Sequence, residues 1–92
     1  MRESNIEKAL REAVERANGR ALKWVCPSTR GAPDRIVLIP GQQVQFVELK
    51  APGKPLEPAQ ARTHKWLSEN GFSVWTVDSL EGVERFMWYH QG

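Results

Sequence analysis

The spacing of apolar residues changes several times along this chain, and each change predicts a new element. In residues 2–18 apolar side chains recur every three or four positions, which predicts a helix with one buried stripe. That stripe consists of Ile6, Leu10, Ala13, Val14 and Ala17. Asn18-Gly19 follows as a stop signal, and we expect the glycine to adopt the left-handed conformation there.

Three strands are predicted after this helix, over residues 21–26, 35–39 and 44–50. The second contains the longest apolar run of the chain, the four residues Ile36 to Ile39, which indicates a central strand covered on both faces. Pro40-Gly41-Gln42-Gln43 predicts a tight turn, so the second and third strands should form an antiparallel hairpin.

The remaining residues predict helix, strand and helix. Residues 58–70 form the second helix, which begins at Pro58 and ends at Asn70-Gly71. Its inward stripe is mixed and comprises Ala59, Arg62 or Thr63, Trp66 and Leu67. Residues 72–77 alternate as a fourth strand, and Asp78 or Ser79 caps a last helix. The inward residues of that last helix are Val83, Phe86 and Met87.

The predicted order is α-β-β-β-α-β-α, an α/β fold with a four-stranded mixed sheet flanked by helices. The first three strands form an antiparallel meander. The third and fourth are joined through a helix, which favours a parallel pair with a right-handed crossover.

The size and composition of the chain narrow its class. Its 92 residues are typical of a single domain, which we assign to residues 1–92 and which is too small for a two-domain cleft. No segment approaches the ~20 apolar residues that span a bilayer, so we expect no membrane association. The start shows no hydrophobic signal region, Cys26 has no second cysteine, and no zinc-like spacing occurs, which together indicate the cytoplasm.

The charge is mildly basic and unevenly distributed. The net charge is +2, with nine Lys or Arg against six Asp or Glu in residues 1–50 and four against five afterwards. This distribution permits a nucleic-acid partner without requiring one.

One constellation points to chemistry: Pro33-Asp34, and Glu48-Leu49-Lys50 on the next strand. Because side chains alternate along a strand, Glu48 and Lys50 share one face. Two carboxylates on one hairpin suit Mg²⁺ or Mn²⁺, and an adjacent lysine can stabilise charge on a phosphate oxygen. Either motif alone is also typical of an ordinary exposed strand end.

The hairpin register decides whether the two carboxylates can meet. Asp34 and Glu48 share a face only if the two residue numbers in each directly opposite pair add up to an even number. A two-residue turn at Gly41-Gln42 would pair residues whose numbers add up to 83, which is odd. We therefore predict a three- or five-residue turn, or a bulge.

These residues resemble the PD-(D/E)xK nuclease superfamily. More narrowly, RGAPDRIV at 30–37, FVELKAP at 46–52 and Gln60 resemble the VRR-NUC domain, in its small stand-alone phage and bacterial form. The resemblance covers nearly the whole chain and implies the same element order. It implies that Asp34, Glu48 and the Leu49 carbonyl ligate the metal. Lys50 would be the catalytic lysine, with Gln60 as an accessory residue.

The resemblance also implies a site glutamate on the first helix, where Glu3 and Glu7 are both candidates. Glu3 lies nearer the middle of the apolar stripe, whereas the distance from Glu7 to the helix stop fits the family better, so we favour Glu7 as catalytic and metal-binding. Alternatively, Glu7 simply pairs with Arg11 four residues later.

Several basic and polar residues are candidates for contacts with a nucleic-acid backbone. They are Lys23, Ser28, Arg30, Arg35 and Lys54. Lys23 is equally compatible with a solvated strand position, Ser28 and Arg30 with a flexible surface loop. Arg35 could instead pair with an acidic neighbour. We expect His64 to be a surface or packing residue, and the four tryptophans to lie mainly in the core or in an interface.

Taken with the resemblance, these residues predict a divalent-metal-dependent DNA endonuclease of a bacterial or phage-infected cell. The family's resolvase-like members suggest a homodimer acting on branched DNA such as a four-way (Holliday) junction. A non-catalytic nucleic-acid-binding module is the alternative, and a structural or dimerisation subunit is a third possibility.

Overall fold

The computed structural model describes residues 1–90 and has the predicted order of elements. These are α1 (Glu3–Arg16), β1 (Arg20–Lys23), β2 (Arg35–Leu38), β3 (Gln45–Leu49), α2 (Pro58–Glu69), β4 (Val74–Val77) and α3 (Leu80–Tyr89). The sheet order is β1-β2-β3-β4, antiparallel as far as β3 and parallel between β3 and β4. The predicted α/β class, the meander and the parallel pair are all confirmed.

All four strands are shorter than predicted: β2 ends at Leu38 instead of residue 39, and β3 covers Gln45–Leu49 instead of residues 44–50. β1 ends at Lys23 instead of Cys26, although the Trp24 N–H still donates to the Asp34 carbonyl at 2.8 Å. The next residue opposite is Pro33, which has no N–H to continue the ladder. β4 begins at Val74 instead of residue 72, because the Phe72 N–H closes the end of α2 by donating to the Leu67 carbonyl.

The end of α1 also differs from the prediction, since the helix finishes at Arg16 and Asn18, not Gly19, is left-handed, with φ of 63°. Gly19 is needed for space. A Cβ at that position would lie 2.3 Å from the Leu38 carbonyl oxygen. The glycine thus lets the chain leaving α1 pass close to β2.

The core lies between one face of the sheet and the pair α1 and α3. Buried residues of α1 pack against the inward residues of the strands and against α3. They include Ile6, Leu10, Val14, Val37, Val47, Val77 and Phe86. The inward residues predicted for the last helix are buried, and the Ser79 hydroxyl caps it by accepting from the Gly82 N–H at 2.9 Å.

α2 packs on the opposite face of the sheet, and its buried residues are His64 and Leu67. The predicted inward position of Trp66 is wrong, since 58% of it is exposed and its ring stacks on Phe72. Trp88 is also exposed, at 77%. Trp75 packs against the core residue Phe86 as expected, whereas Trp24 lies half-buried against Phe46 on the α2 side of the sheet, outside the core.

Part of the sheet face on the α2 side has no cover within residues 1–90. Directly paired residues share a face, which places Leu22, Ile36 and Phe46 side by side. We call Leu22, Ile36, Leu38 and Phe46 the open sheet face. The expectation that β2 is covered on both faces is therefore wrong, because α2 packs beside β4 and leaves Leu38 exposed.

None of the helices in the described part of the chain has the length and apolarity that crossing a bilayer needs.

Candidate active site

The hairpin of β2 and β3 brings Asp34 and Glu48 to opposite positions. Arg35 pairs with Val47 and Ile36 with Phe46, so the numbers of paired residues have the even sum that we predicted. The same register continued by one residue places Asp34 opposite Glu48, and both then lie on the α2 side of the sheet. The turn itself is closed by the Gln42 N–H, which donates to the Ile39 carbonyl at 3.0 Å.

Asp34 is tied to the end of β3. Its Oδ2 accepts a hydrogen bond from the Leu49 backbone N–H at 2.9 Å. The carboxylate therefore sits beside the backbone segment that carries Glu48 and Lys50.

Glu48 is 2% exposed, and its pKa is raised from 4.5 to about 8. Burial is the main cause, followed by the hydrogen bond and the negative charge of Asp34, while Lys50 acts in the opposite direction. A buried acid beside a second, half-buried carboxylate favours a proton or a cation between the two groups.

Gln60 connects α2 to this pair. Its Nε2 donates to Glu48 Oε2 at 3.1 Å, and its Oε1 accepts from the Glu57 N–H at 2.9 Å. The second bond satisfies a backbone donor that the start of any helix leaves without a partner. The start of α2 therefore sets the orientation of Gln60, and Gln60 holds one oxygen of Glu48.

His64 also faces Glu48, and we did not assign it to the site from the sequence. It is 7% exposed, and its Nε2 lies 3.6 Å from Glu48 Oε1. Burial lowers its pKa from 6.5. The signal that could have found it is its spacing, because residues four apart on a helix share a face and His64 follows Gln60 by four.

Lys50 follows the last residue of β3 and is 6% exposed. Its backbone N–H donates to the Val77 carbonyl at 3.0 Å, which extends the pairing with β4 by one residue. Its positive charge lowers the pKa of Glu48, in opposition to burial and Asp34. The lysine predicted to be catalytic is thus placed with the two carboxylates.

Glu3 and Glu7, the two candidate acids on α1, differ in the groups they interact with. Glu7 Oε1 lies 3.5 Å from Arg35 Nη2 and 3.7 Å from Arg11 Nη1, so both guanidinium groups compete for it. The charge of Glu3 contributes to raising the pKa of Glu48. Glu3 therefore acts electrostatically on the carboxylate pair, whereas Glu7 is held in ion pairs.

A cavity of about 350 Å³ opens beside these residues. Its walls include both acids of α1, Asp34, Leu49 and two of the predicted nucleic-acid contacts, Lys23 and Arg35. Ser28, Arg30 and Lys54 are exposed and do not line this cavity.

The loop before Asp34 is fixed against the start of α2. The Thr63 hydroxyl donates to the Arg30 carbonyl at 2.8 Å. At Gly31, where φ is +80°, a Cβ would lie 2.3 Å from the Ala59 carbonyl oxygen. This close approach requires glycine, and it holds the Arg30 backbone next to the helix that carries Gln60.

The donor atoms fit a hard divalent cation, although within residues 1–90 no three His, Cys, Asp or Glu side chains converge as a metal cluster. Glu48 Oε1 is buried and has no hydrogen-bond partner among the described residues. A cation beside Asp34 and Glu48 would satisfy that oxygen and relieve the repulsion between the two charges. Asp34, Glu48 and a backbone carbonyl such as that of Leu49 are the groups that could hold it.

A mixed four-stranded sheet with two acids and a lysine on one hairpin is typical of the PD-(D/E)xK nuclease class. Comparisons with known proteins identify a family within that class. No protein-family model matches the sequence. The chain is 44% identical over 81 residues to "Putative nuclease p44" of Acyrthosiphon pisum secondary endosymbiont phage 1, a match that covers 88% of this chain and 87% of that protein. A solved structure described as a VRR_NUC domain superimposes with a TM-score of 0.88 and 28% identity, over 96% of both chains. The chain belongs to the VRR-NUC domain family.

Proposed function

We propose that this protein is a divalent-metal-dependent DNA endonuclease whose site is built from Asp34, Glu48 and Lys50. The observation that carries this proposal is the pairing of half-buried Asp34 with buried Glu48, whose Oε1 has no hydrogen-bond partner among residues 1–90. A domain that only binds the phosphate backbone gains nothing from two clustered acids, because they repel it. The alternative of a non-catalytic binding module is therefore disfavoured.

The chain's own residues then have distinct tasks. Asp34 and Glu48 would hold Mg²⁺ or Mn²⁺, with Glu48 giving up its proton to become a ligand. The bound cation would polarise the scissile phosphate and an attacking water. Lys50 stabilises the charge that develops on the phosphate oxygens, and its buried position strengthens that interaction. Gln60 keeps the Glu48 carboxylate in place from α2.

DNA is the proposed substrate because the phage relative is named as a nuclease and because basic residues surround the site. Lys23 lines the cavity next to Asp34, where it can approach a phosphate, and Arg35 lines the same cavity while paired with Glu7. Ser28, Arg30 and Lys54 lie in exposed loops and would contact the backbone farther from the cleavage point.

We further propose a homodimer that acts on branched DNA. The open sheet face supports this proposal, since Leu22 and Leu38 are 44% and 38% exposed and lie beside Ile36. A second copy of the chain packed on this surface would bury it. Both faces of β2 would then be covered, as its continuous apolar run indicates. Two sites related by a twofold axis suit a symmetric four-way junction.

Cleavage of labelled DNA tests the function. Four-way junction, duplex and single-stranded substrates are incubated with Mg²⁺ or Mn²⁺ and wild-type protein or Asp34→Asn. We expect metal-dependent cleavage by the wild type, strongest on the junction, and a loss of about 100-fold or more in the variant. Binding without cleavage under every metal condition would instead favour the non-catalytic module.

A further inference from the structure

One buried side chain beside the carboxylate pair has no task in the proposed function. His64 Nε2 and Glu48 Oε1 face each other at 3.6 Å, and neither has a hydrogen-bond partner among the described residues. Leaving two facing polar atoms buried and unpaired is unfavourable. An apolar residue would fill the same space without that cost, so the presence of an imidazole needs an explanation.

We propose that His64 is a positioning residue that donates its Nε2–H to Glu48 Oε1 and so fixes the carboxylate for binding a divalent cation. Gln60 already donates to the other oxygen, Oε2, at 3.1 Å. Two side chains one helical turn apart on α2 then hold the two oxygens of one acid. This inference rests on the proposed function, because it concerns the same metal site.

The geometry leaves Glu48 free to act as a ligand. Each carboxylate oxygen has two lone pairs, so one on each oxygen remains available after both hydrogen bonds are made. The present distance is about 0.6–0.7 Å longer than an ordinary N–H···O hydrogen bond, a gap that a small side-chain rotation closes. Ionised Glu48 is also a stronger acceptor than the neutral acid. Cation binding and the His64 hydrogen bond should therefore strengthen each other.

Groups that surround a metal ligand in this way orient it, and their loss weakens binding by about 10–100-fold. Three substitutions separate orientation from packing. In His64→Gln the side-chain amide nitrogen can stand where Nε2 stood and still donate. In His64→Asn the shorter side chain places its amide near the position of Nδ1, out of reach of Glu48. His64→Leu fills the space without any donor. Lys65→Gln, at an exposed neighbouring position, is the matched control.

The experiment is calorimetric titration with Mn²⁺ in the absence of DNA, with thermal unfolding measured on the same samples. We expect His64→Asn and His64→Leu to weaken the affinity by about 10–100-fold, with His64→Gln and Lys65→Gln within about threefold of the wild type. If His64→Leu fails to fold, the difference in Mn²⁺ affinity between His64→Gln and His64→Asn tests the proposal.

Equal affinity of the glutamine and asparagine variants, or a folded leucine variant with wild-type affinity, would overturn the role of His64 while leaving the nuclease proposal intact. A wild-type protein that binds no Mn²⁺ would overturn both.

Discussion

The carboxylate of Asp34 accepts a hydrogen bond from the backbone N–H of Leu49 at 2.9 Å, between the start of one strand and the end of its hairpin partner. The bond joins the two ends of the PD…ELK pattern directly. It follows from the even register of the hairpin, which places Asp34 opposite Glu48. The residues assigned to catalysis are thus held together by the sheet itself.

This hydrogen bond should be measurable through two substitutions at Asp34. Both Asp34→Asn and Asp34→Ala remove the charge beside Glu48, but only asparagine keeps an oxygen that can accept from Leu49. We expect the alanine variant to be less stable than the asparagine variant by about 1 kcal/mol. Urea unfolding of the two metal-free variants measures the difference, and equal stabilities would show that the bond contributes nothing.

The buried carboxyl group of Glu48 predicts how the stability of the protein depends on pH. The pKa of Glu48 is about 8 in the folded protein against 4.5 for the ordinary group, so the folded state holds a proton that the unfolded state has lost. This contribution is fully present below pH 4.5 and disappears as the pH rises through 8. In a chelator, the melting temperature should therefore fall between pH 6.5 and 8.5.

Glu48→Gln should remove most of this slope, because an amide does not titrate. Between pH 6.5 and 8.5 the measurement is also separate from the titration of His64. Its pKa is lowered from 6.5, so its contribution to stability changes at lower pH. A wild-type slope equal to that of Glu48→Gln would contradict the assignment of the raised pKa.

Lys50 should matter for cleavage and not for holding the cation. Lys50→Met keeps an unbranched side chain only one atom shorter and removes the charge, so cleavage should fall by about 100-fold or more. Calorimetric titration should show Mn²⁺ binding retained, since methionine removes a positive charge that competes with the cation. Lys65→Met, at an exposed position on α2, is the control. Cleavage by Lys50→Met at the wild-type rate would remove the lysine from the mechanism.

Of the two α1 glutamates near the site, we expect Glu3 to affect metal binding and Glu7 to affect stability. The negative charge of Glu3 reaches Glu48 and would attract a cation bound there, so we expect Glu3→Gln to weaken Mn²⁺ binding several-fold above pH 8, where Glu48 is ionised in both proteins. Glu7 is held by Arg11 and Arg35, so Glu7→Gln should lower stability by up to about 1 kcal/mol with little change in affinity. Titration and unfolding of both variants would decide, and the reverse pattern would restore Glu7 as the site glutamate.

The sequence was sufficient for those features that depend on local pattern. Apolar spacing predicted all seven elements in their order, and the alternation of side chains required the even register. Element ends were less predictable, because they depend on partners in other parts of the chain. β1 stops where Pro33 comes opposite it, and Gly19 is required by the carbonyl of Leu38.

The prediction of which α2 residues face the sheet was partly wrong, also because the answer depends on partners elsewhere in the chain. Trp66 was assigned inward on hydrophobicity, but the helix faces the end of β3 that carries the polar residue Glu48, and its buried positions are His64 and Leu67. A buried polar residue is selected by its partner, and no periodicity of apolar residues reveals that partner. The spacing of His64 from Gln60 was the only local signal.

Calorimetric titration of the wild type and Asp34→Asn with Mn²⁺ tests most directly whether Asp34 and Glu48 form a metal site. We predict one class of binding site per chain in the wild type, with proton release near pH 7 as Glu48 ionises, and no binding in the folded variant. Equal binding by both proteins, or no binding by a wild type that still cleaves DNA, would contradict the account.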